Sequence, residues 1–173
     1  MNSLDEIRDW YRYNFDVRKK YLATFESLGW SGINFDSGAS FPTLASIMHH
    51  VFEAYHWWFN SFLKNDPGET NTMAAPKSVA DLARSSESLE EMVFAYLNGL
   101  SEEDLHRVVT RSFQVSGRKH TLSLPVKIVL WHMVEEELQH RGEMNAILWQ
   151  KDVDPPVTGY DDWYAEKTNM PPF

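Results

Sequence analysis

The chain has 173 residues, enough for one domain with its own core, and residues 1–173 read as a single domain. A net charge of −9 with no Lys/Arg stripe argues against nucleic-acid and anionic-membrane partners, and no apolar run is long enough to span a membrane. Cysteine is absent, which excludes disulfides, thiolate ligands and a Cys nucleophile and fits a cytoplasmic protein.

The start, Met1 to Glu6, lacks the basic and apolar regions of a signal peptide. A first amphipathic helix is predicted from about Ser3 to Leu28, with Ile7, Trp10, Asn14, Val17, Tyr21, Phe25 and Leu28 along one side. Gly29, Gly32 and Gly38 mark the loop after it. A second helix is predicted from about Phe41 to Lys64, with Leu44, Met48, Val51, Tyr55, Trp58 and Phe62 as its stripe, ended by Asn65-Asp66-Pro67-Gly68. A third begins at Ser78-Val79-Ala80-Asp81, a capping pattern, and closes near Gly99. Val109 to Val115, then Ser116-Gly117, then Lys119 to Leu124, read as a short β-hairpin or an irregular excursion. The fourth helix starts by Pro125 and ends before Asp154-Pro155-Pro156. The tail, Tyr160 to Asn169, has the length of one short helix. The fold class expected is all-α: an up-down four-helix bundle with a long, hairpin-like connection between helices three and four.

The fourth helix holds the chemistry. Val126, Val129, Leu130, Met133, Val134, Met144, Ile147 and Leu148 follow a period near 3.6 and mark a buried face. At about 100° per residue, Glu137 and His140 fall within that face and Glu136 at its edge. Isolated charge in a low-dielectric core is very costly, so these groups need partners. Glu and His four apart on one helix suit a divalent metal.

A third ligand must come from another element. On the second helix His49 and His56 share a polar side with Glu53 and Asn60. His50 shares its side with Ile47, Ala54, Trp57 and Ser61, a flank that aims into the bundle. His50, Glu136 and His140 together give two imidazoles and one carboxylate, a catalytic zinc set that leaves a position open. The ordinary alternative for each is a hydrogen-bonded polar residue without metal. Glu137 and Arg141, four apart, read either as a helical ion pair or as a catalytic base and an anion-orienting group. Trp57 reads as core or as a stacking platform for a cofactor. A di-iron reading uses two E-x-x-H motifs, Glu53 with His56 and Glu137 with His140, but the first points away from the apolar stripe.

The run from His50 to Phe59, an apolar-flanked His followed by Trp57, Trp58 and Phe59, resembles the second-helix motif of the DinB/YfiT-like superfamily. Glu136 to Glu143, with its His140-Arg141-Gly142-Glu143 core, resembles the fourth-helix motif. The resemblance covers nearly the whole chain. It implies a four-helix bundle with a three-ligand metal site, often dimeric. Many members use three histidines; Glu136 stands where the middle one usually lies, as in the His/Glu/His variant of mycothiol-dependent maleylpyruvate isomerases. Bacillithiol S-transferases are other relatives.

The expectation is therefore one divalent transition metal per chain (Zn, Ni or Fe) and a metal-dependent enzyme acting on a small-molecule thiol or electrophile. The low-molecular-weight thiol would be a cosubstrate, because the chain has no Cys. A metal-dependent hydrolase and a non-catalytic metal-binding bundle are the alternatives. A homodimer is expected too, because Tyr11, Phe52 and Phe59 lie beside or beyond the predicted stripes.

Overall fold

A computed structural model describes residues 3–38, 41–65 and 73–170. The chain is mostly helical, with one two-stranded sheet. Helix α1 spans Ser3–Ile33, α2 Leu44–His56, α3 Val79–Asn98, α4 Val126–Trp149 and α5 Tyr160–Thr168. Strands β1 (Val108–Val115) and β2 (Arg118–Pro125) stand between α3 and α4. Helix α1 packs on α3 and α4, and so does α2. Among the described residues no helix is long and apolar enough to cross a membrane.

Local chemistry sets the boundaries. The Thr43 hydroxyl accepts from the Ser46 amide and the Ser46 hydroxyl accepts from the Thr43 amide, both at 2.9 Å, a capping box that starts α2. It begins three residues after the expected Phe41, since Phe41 and Pro42 lie outside the cap. Ser78 caps α3 by accepting from the Asp81 amide at 3.1 Å, as its sequence pattern predicts. The hairpin is fully paired from Val108 with Pro125 to Val115 with Arg118. Its turn residues, Ser116 (φ 49°) and Gly117 (φ 76°), both have positive φ, the backbone that matches the right-handed twist of a tight hairpin.

Two boundaries differ from the sequence reading. Helix α1 does not end at Leu28. It bends at Gly29 (φ 69°, ψ 170°) and resumes to Ile33, which is buried. Glycine reaches this left-handed backbone without a Cβ penalty, so the residue that looks like a terminator is a kink. Helix α2 does not continue as an α-helix to Lys64. Trp57–Lys64 is π-helical and is closed by Asn65 in the left-handed conformation. Its wider turn changes the angular setting of side chains along it, while Phe62 stays in the core as expected. Trp58, expected in the core, is therefore only partly buried, and Phe59 takes the interior position. Residues Asp66, Pro67 and Gly68 of the expected terminator lie outside the described residues.

The aromatic argument for a dimer does not hold. Tyr11, Phe52 and Phe59 are all fully buried within one chain. The Tyr11 hydroxyl donates to the Leu130 carbonyl at 2.9 Å, tying α1 to α4. Its ring meets Tyr55 and Phe59 edge-on. The π segment brings Phe59 inward, and the stripe of α1 is wider than one residue per turn.

Helix α5 folds back on α1. Trp10 stacks on Tyr160 with centroids 4.4 Å apart, and the Trp163 indole donates to Asp16 at 2.9 Å. The hairpin rests on the π segment and on α4. The face between α2 and α4 is left to the polar residues of the fourth helix.

Candidate metal centre

Helix α2 presents His50 and helix α4 presents Glu136 and His140 at one place. The Nε2 atoms of His50 and His140 each lie 3.2 Å from the same oxygen, Glu136 Oε1. The three ligand atoms fall within 4.8 Å of one another. Among the described residues this is the one group of three or more His, Cys, Asp or Glu donors with metal-binding geometry. Tetrahedral coordination at zinc bond lengths sets neighbouring ligand atoms about 3.3 Å apart, close to the 3.2 Å between Glu136 Oε1 and each imidazole. Exposure is graded: the side chain of His140 is 7 % exposed, Glu136 18 % and His50 34 %. The group is rooted in the core and open on the His50 side.

The hydrogen bonding indicates what fits between these atoms. Nδ1 of His140 lies 2.8 Å from Glu143 Oε2. An ionised carboxylate only accepts, so Nδ1 donates to Glu143. Nε2 then faces a Glu136 oxygen at 3.2 Å. At this distance the two atoms are bridged either by a proton, as in an imidazolium–carboxylate pair, or by a metal ion. Three converging donors of this chemistry are a metal's set, and a carboxylate behind an imidazole is the usual device for orienting a metal-bound histidine. Glu143→Gln should weaken metal binding about 10–100-fold, measured by competition with a chromogenic chelator. Unchanged affinity would show that Glu143 does not orient His140.

Phe41 completes the site. Its ring stacks on His50 with centroids 4.2 Å apart and meets His140 edge-on at 5.6 Å. It restricts the imidazole rotamers from a loop that carries no periodic signal, and the sequence reading did not single it out. Glu143 was legible, lying three residues after His140 on the same helix side.

The remaining candidates sit elsewhere. Trp57 packs against Trp58 and against Phe113 of the hairpin, at 4.6 and 5.4 Å between centroids. Its stacking is with the scaffold, and Phe41 takes the place beside His50. His132 pairs with Glu135 at 3.4 Å and meets the Trp58 ring. His49 lies 3.7 Å from Glu53, outside the triad. The di-iron alternative finds no second carboxylate cluster among the described residues; Glu6 and Glu26 are exposed.

Glu137 and Arg141 form a buried network below the site. Arg18 of α1 donates to Glu137 through Nε (3.2 Å) and Nη2 (2.7 Å). The Tyr55 hydroxyl donates to Glu137 at 2.6 Å and Arg141 Nη2 at 3.3 Å. Arg141 also donates to the carbonyl and side-chain oxygens of Asn14, at 3.1 and 2.9 Å. Burial pushes the Glu137 carboxyl up, but Arg18 and Arg141 pull harder, and its pKa ends below the usual carboxylate value. Burial and the neighbouring Glu137 push the Tyr55 phenol well above its usual value. With four donors on it, Glu137 has no lone pair left for a substrate proton, and Arg141 faces Asn14 and Glu137 rather than the opening. In the structure the pair ties α4 to α1 through Arg18 and Asn14. Arg18 is the partner the sequence reading missed, though it follows Asn14 by four residues along the buried side of α1.

A helical scaffold that presents two imidazoles and a carboxylate at a half-open position defines a class, helical proteins with a candidate three-donor metal centre. The DinB family model matches residues 1–169, and the chain belongs to the DinB family. A crystal structure of a DinB-like protein from Bacillus cereus ATCC 10987 is similar in fold, with a TM-score of 0.59 and 17% sequence identity. The match covers 90% of this chain and 97% of that one. No curated protein matches the chain.

Proposed function

We propose that the protein is a metal-dependent enzyme of the thiol S-transferase or isomerase kind, with His50, Glu136 and His140 holding one divalent transition metal. The observation that supports this most is the convergence of both imidazole Nε2 atoms on one Glu136 oxygen at 3.2 Å, with the His50 side open. A closed four-ligand sphere would favour a structural metal; three donors with a free side favour chemistry. Zn, Ni and Fe all suit the donor set. When bound, such a metal lowers the pKa of a coordinated thiol and so supplies a thiolate near neutral pH.

The protein's own residues do the rest. Glu143 fixes the His140 tautomer, Phe41 holds the His50 ring, and the Arg18–Glu137–Arg141 network sets the height of α4 against the bundle. The four long helices are proposed to run up-down-up-down, with the hairpin as the long third connection. The cosubstrate is proposed to be a low-molecular-weight thiol and the second substrate a small electrophile. The homodimer expectation now rests on the family resemblance alone.

The test is a transfer assay. Metal-loaded protein is incubated with several low-molecular-weight thiols and a chloro-dinitro arene, and the rate is compared with Glu136→Ala and His50→Ala. At least one thiol should react faster with the wild type, by a factor of about 100 or more if metal activation supplies about 3 kcal/mol. If none does, the transferase reading fails and a hydrolase takes precedence.

A further inference from the structure

The charge around the open side of the triad has one sign. The chain has 16 Lys and Arg residues. Along α2 and its π continuation none lies within two turns of His50. Along α4 Arg141 alone lies within two turns of Glu136 or His140. Arg141 is buried and spent on Asn14 and Glu137, so it adds nothing at the opening. The connection from Asn34 to Thr43, which carries Phe41, has no Lys or Arg in its sequence. The hairpin, with Arg111, Arg118 and Lys119, packs on the π segment and α4 further along, where Phe113 meets Trp57.

Carboxylates flank the triad instead. Glu143 stands behind His140 and is half-buried. Glu135 is exposed and leans on His132 at 3.4 Å. The His132 ring meets Trp58 of the π segment, with centroids 5.0 Å apart, which turns this pair toward the α2–α4 groove that also holds the triad. Glu53 follows His50 by one turn on α2 and reaches outward to His49, at 3.7 Å. The partners of Glu135 and Glu53 are imidazoles, which are ordinarily neutral above about pH 7 and then leave both carboxylates uncompensated. A divalent ion in the triad does not reverse the sign. Its two charges are matched by Glu136 and by the sulfur of a thiolate, and Glu143 is then surplus. A tail that extends from the sulfur through the open His50 side passes between α2 and α4. An anionic tail finds no free guanidinium or ammonium on either helix edge, whereas a cationic tail finds carboxylates.

We infer that the site selects its cosubstrate by charge and prefers a thiol with an ammonium-type tail to one with a carboxylate or sulfonate. The inference rests on the thiol reading of the metal centre and adds the class of thiol. Glu135 is the main selecting residue, since its carboxylate pairs with His132 rather than with any of the three donors.

Cobalt-loaded whole protein reports thiol binding without turnover, through the sulfur-to-cobalt charge-transfer band in the near ultraviolet. Thiocholine, 2-mercaptoethanol and 2-mercaptoethanesulfonate share one spacer and carry cationic, neutral and anionic tails that are poor metal ligands. Titrations at about pH 8, where imidazoles are ordinarily neutral, are corrected for each thiol's own ionisation and should rank them in that order. A carboxylate about 7 Å from a unit charge changes binding about twofold to threefold in water, so thiocholine should bind about tenfold or more tighter than the sulfonate. The gap should close as salt rises from about 0.02 to 0.5 M. Glu135→Gln should narrow it about fourfold and leave 2-mercaptoethanol binding unchanged. Equal affinities at low salt, a tighter sulfonate, or an undiminished gap in Glu135→Gln overturns the charge selection. A band that no thiol produces is a separate failure: it removes the thiol reading itself, and the selection with it.

Discussion

Glu137→Ala should cost about 3–5 kcal/mol of stability, the largest single effect expected in this protein. It removes no large apolar surface. What it does is leave Arg18 and Arg141 facing each other in the core with no counter-charge between them. Taking one partner from a buried ion network exposes the full desolvation cost of the others, whereas replacing the whole network with apolar residues is often neutral. The triple change Arg18→Met, Glu137→Leu, Arg141→Met should therefore be less damaging than Glu137→Ala alone. Urea unfolding followed by circular dichroism compares them directly. The single variant should melt about 6–20 °C lower than the wild type. A loss under about 1 kcal/mol would mean that the three charges are solvated and not a structural unit.

His140→Ala should have the opposite profile, a large effect on metal and a small one on the fold. Removing His140 leaves His50 and Glu136 as two donors on two helices, too few for tight binding of a transition metal. Metal content measured on protein purified without added metal should fall from about one per chain towards zero. The helices should survive, because the aromatic-rich core around Tyr11, Tyr55, Phe59 and Phe62 does not pass through the site. The cost to stability should be about 1–3 kcal/mol, from a half-buried Glu136 carboxylate that loses one of its two imidazole partners and keeps His50. Helical circular dichroism recorded on the same samples decides it: collapse of helicity at room temperature would show that the site is a fastener of the fold.

The contrast between these residues explains which parts of the protein were legible before the structure. Glu136, Glu137 and His140 stood out because one helix period separates buried from exposed positions, and polar residues in the buried phase are conspicuous. The same logic found the Ser78 cap, the Ser116-Gly117 turn and the tail helix, all of which are decided by a few adjacent residues. What stayed hidden depends on distance or on a broken period. Arg18 reaches Glu137 across 119 residues of sequence. Phe41 reaches His50 from a loop. The π-helical stretch after His56 breaks the 3.6 rule on which the burial of Trp58 and Phe59 was judged. The roles of Glu136 and Glu137 follow the same division: their phase shows that both need partners, and only the packing shows that one faces the imidazoles and the other faces Arg18.

That adjacency makes α4 a keyed shaft. Glu136 and Glu137 are consecutive, so they point about 100° apart, one toward His50 and the other toward Arg18. Each fits only its own socket. Deleting one residue between Pro125 and Glu135 would turn the downstream helix by that angle and misplace both carboxylates at once. The core then rejects a mis-set helix before any metal arrives. Errors in the angular setting of the site appear as failures to fold, and chains that do fold carry the three donors already aligned.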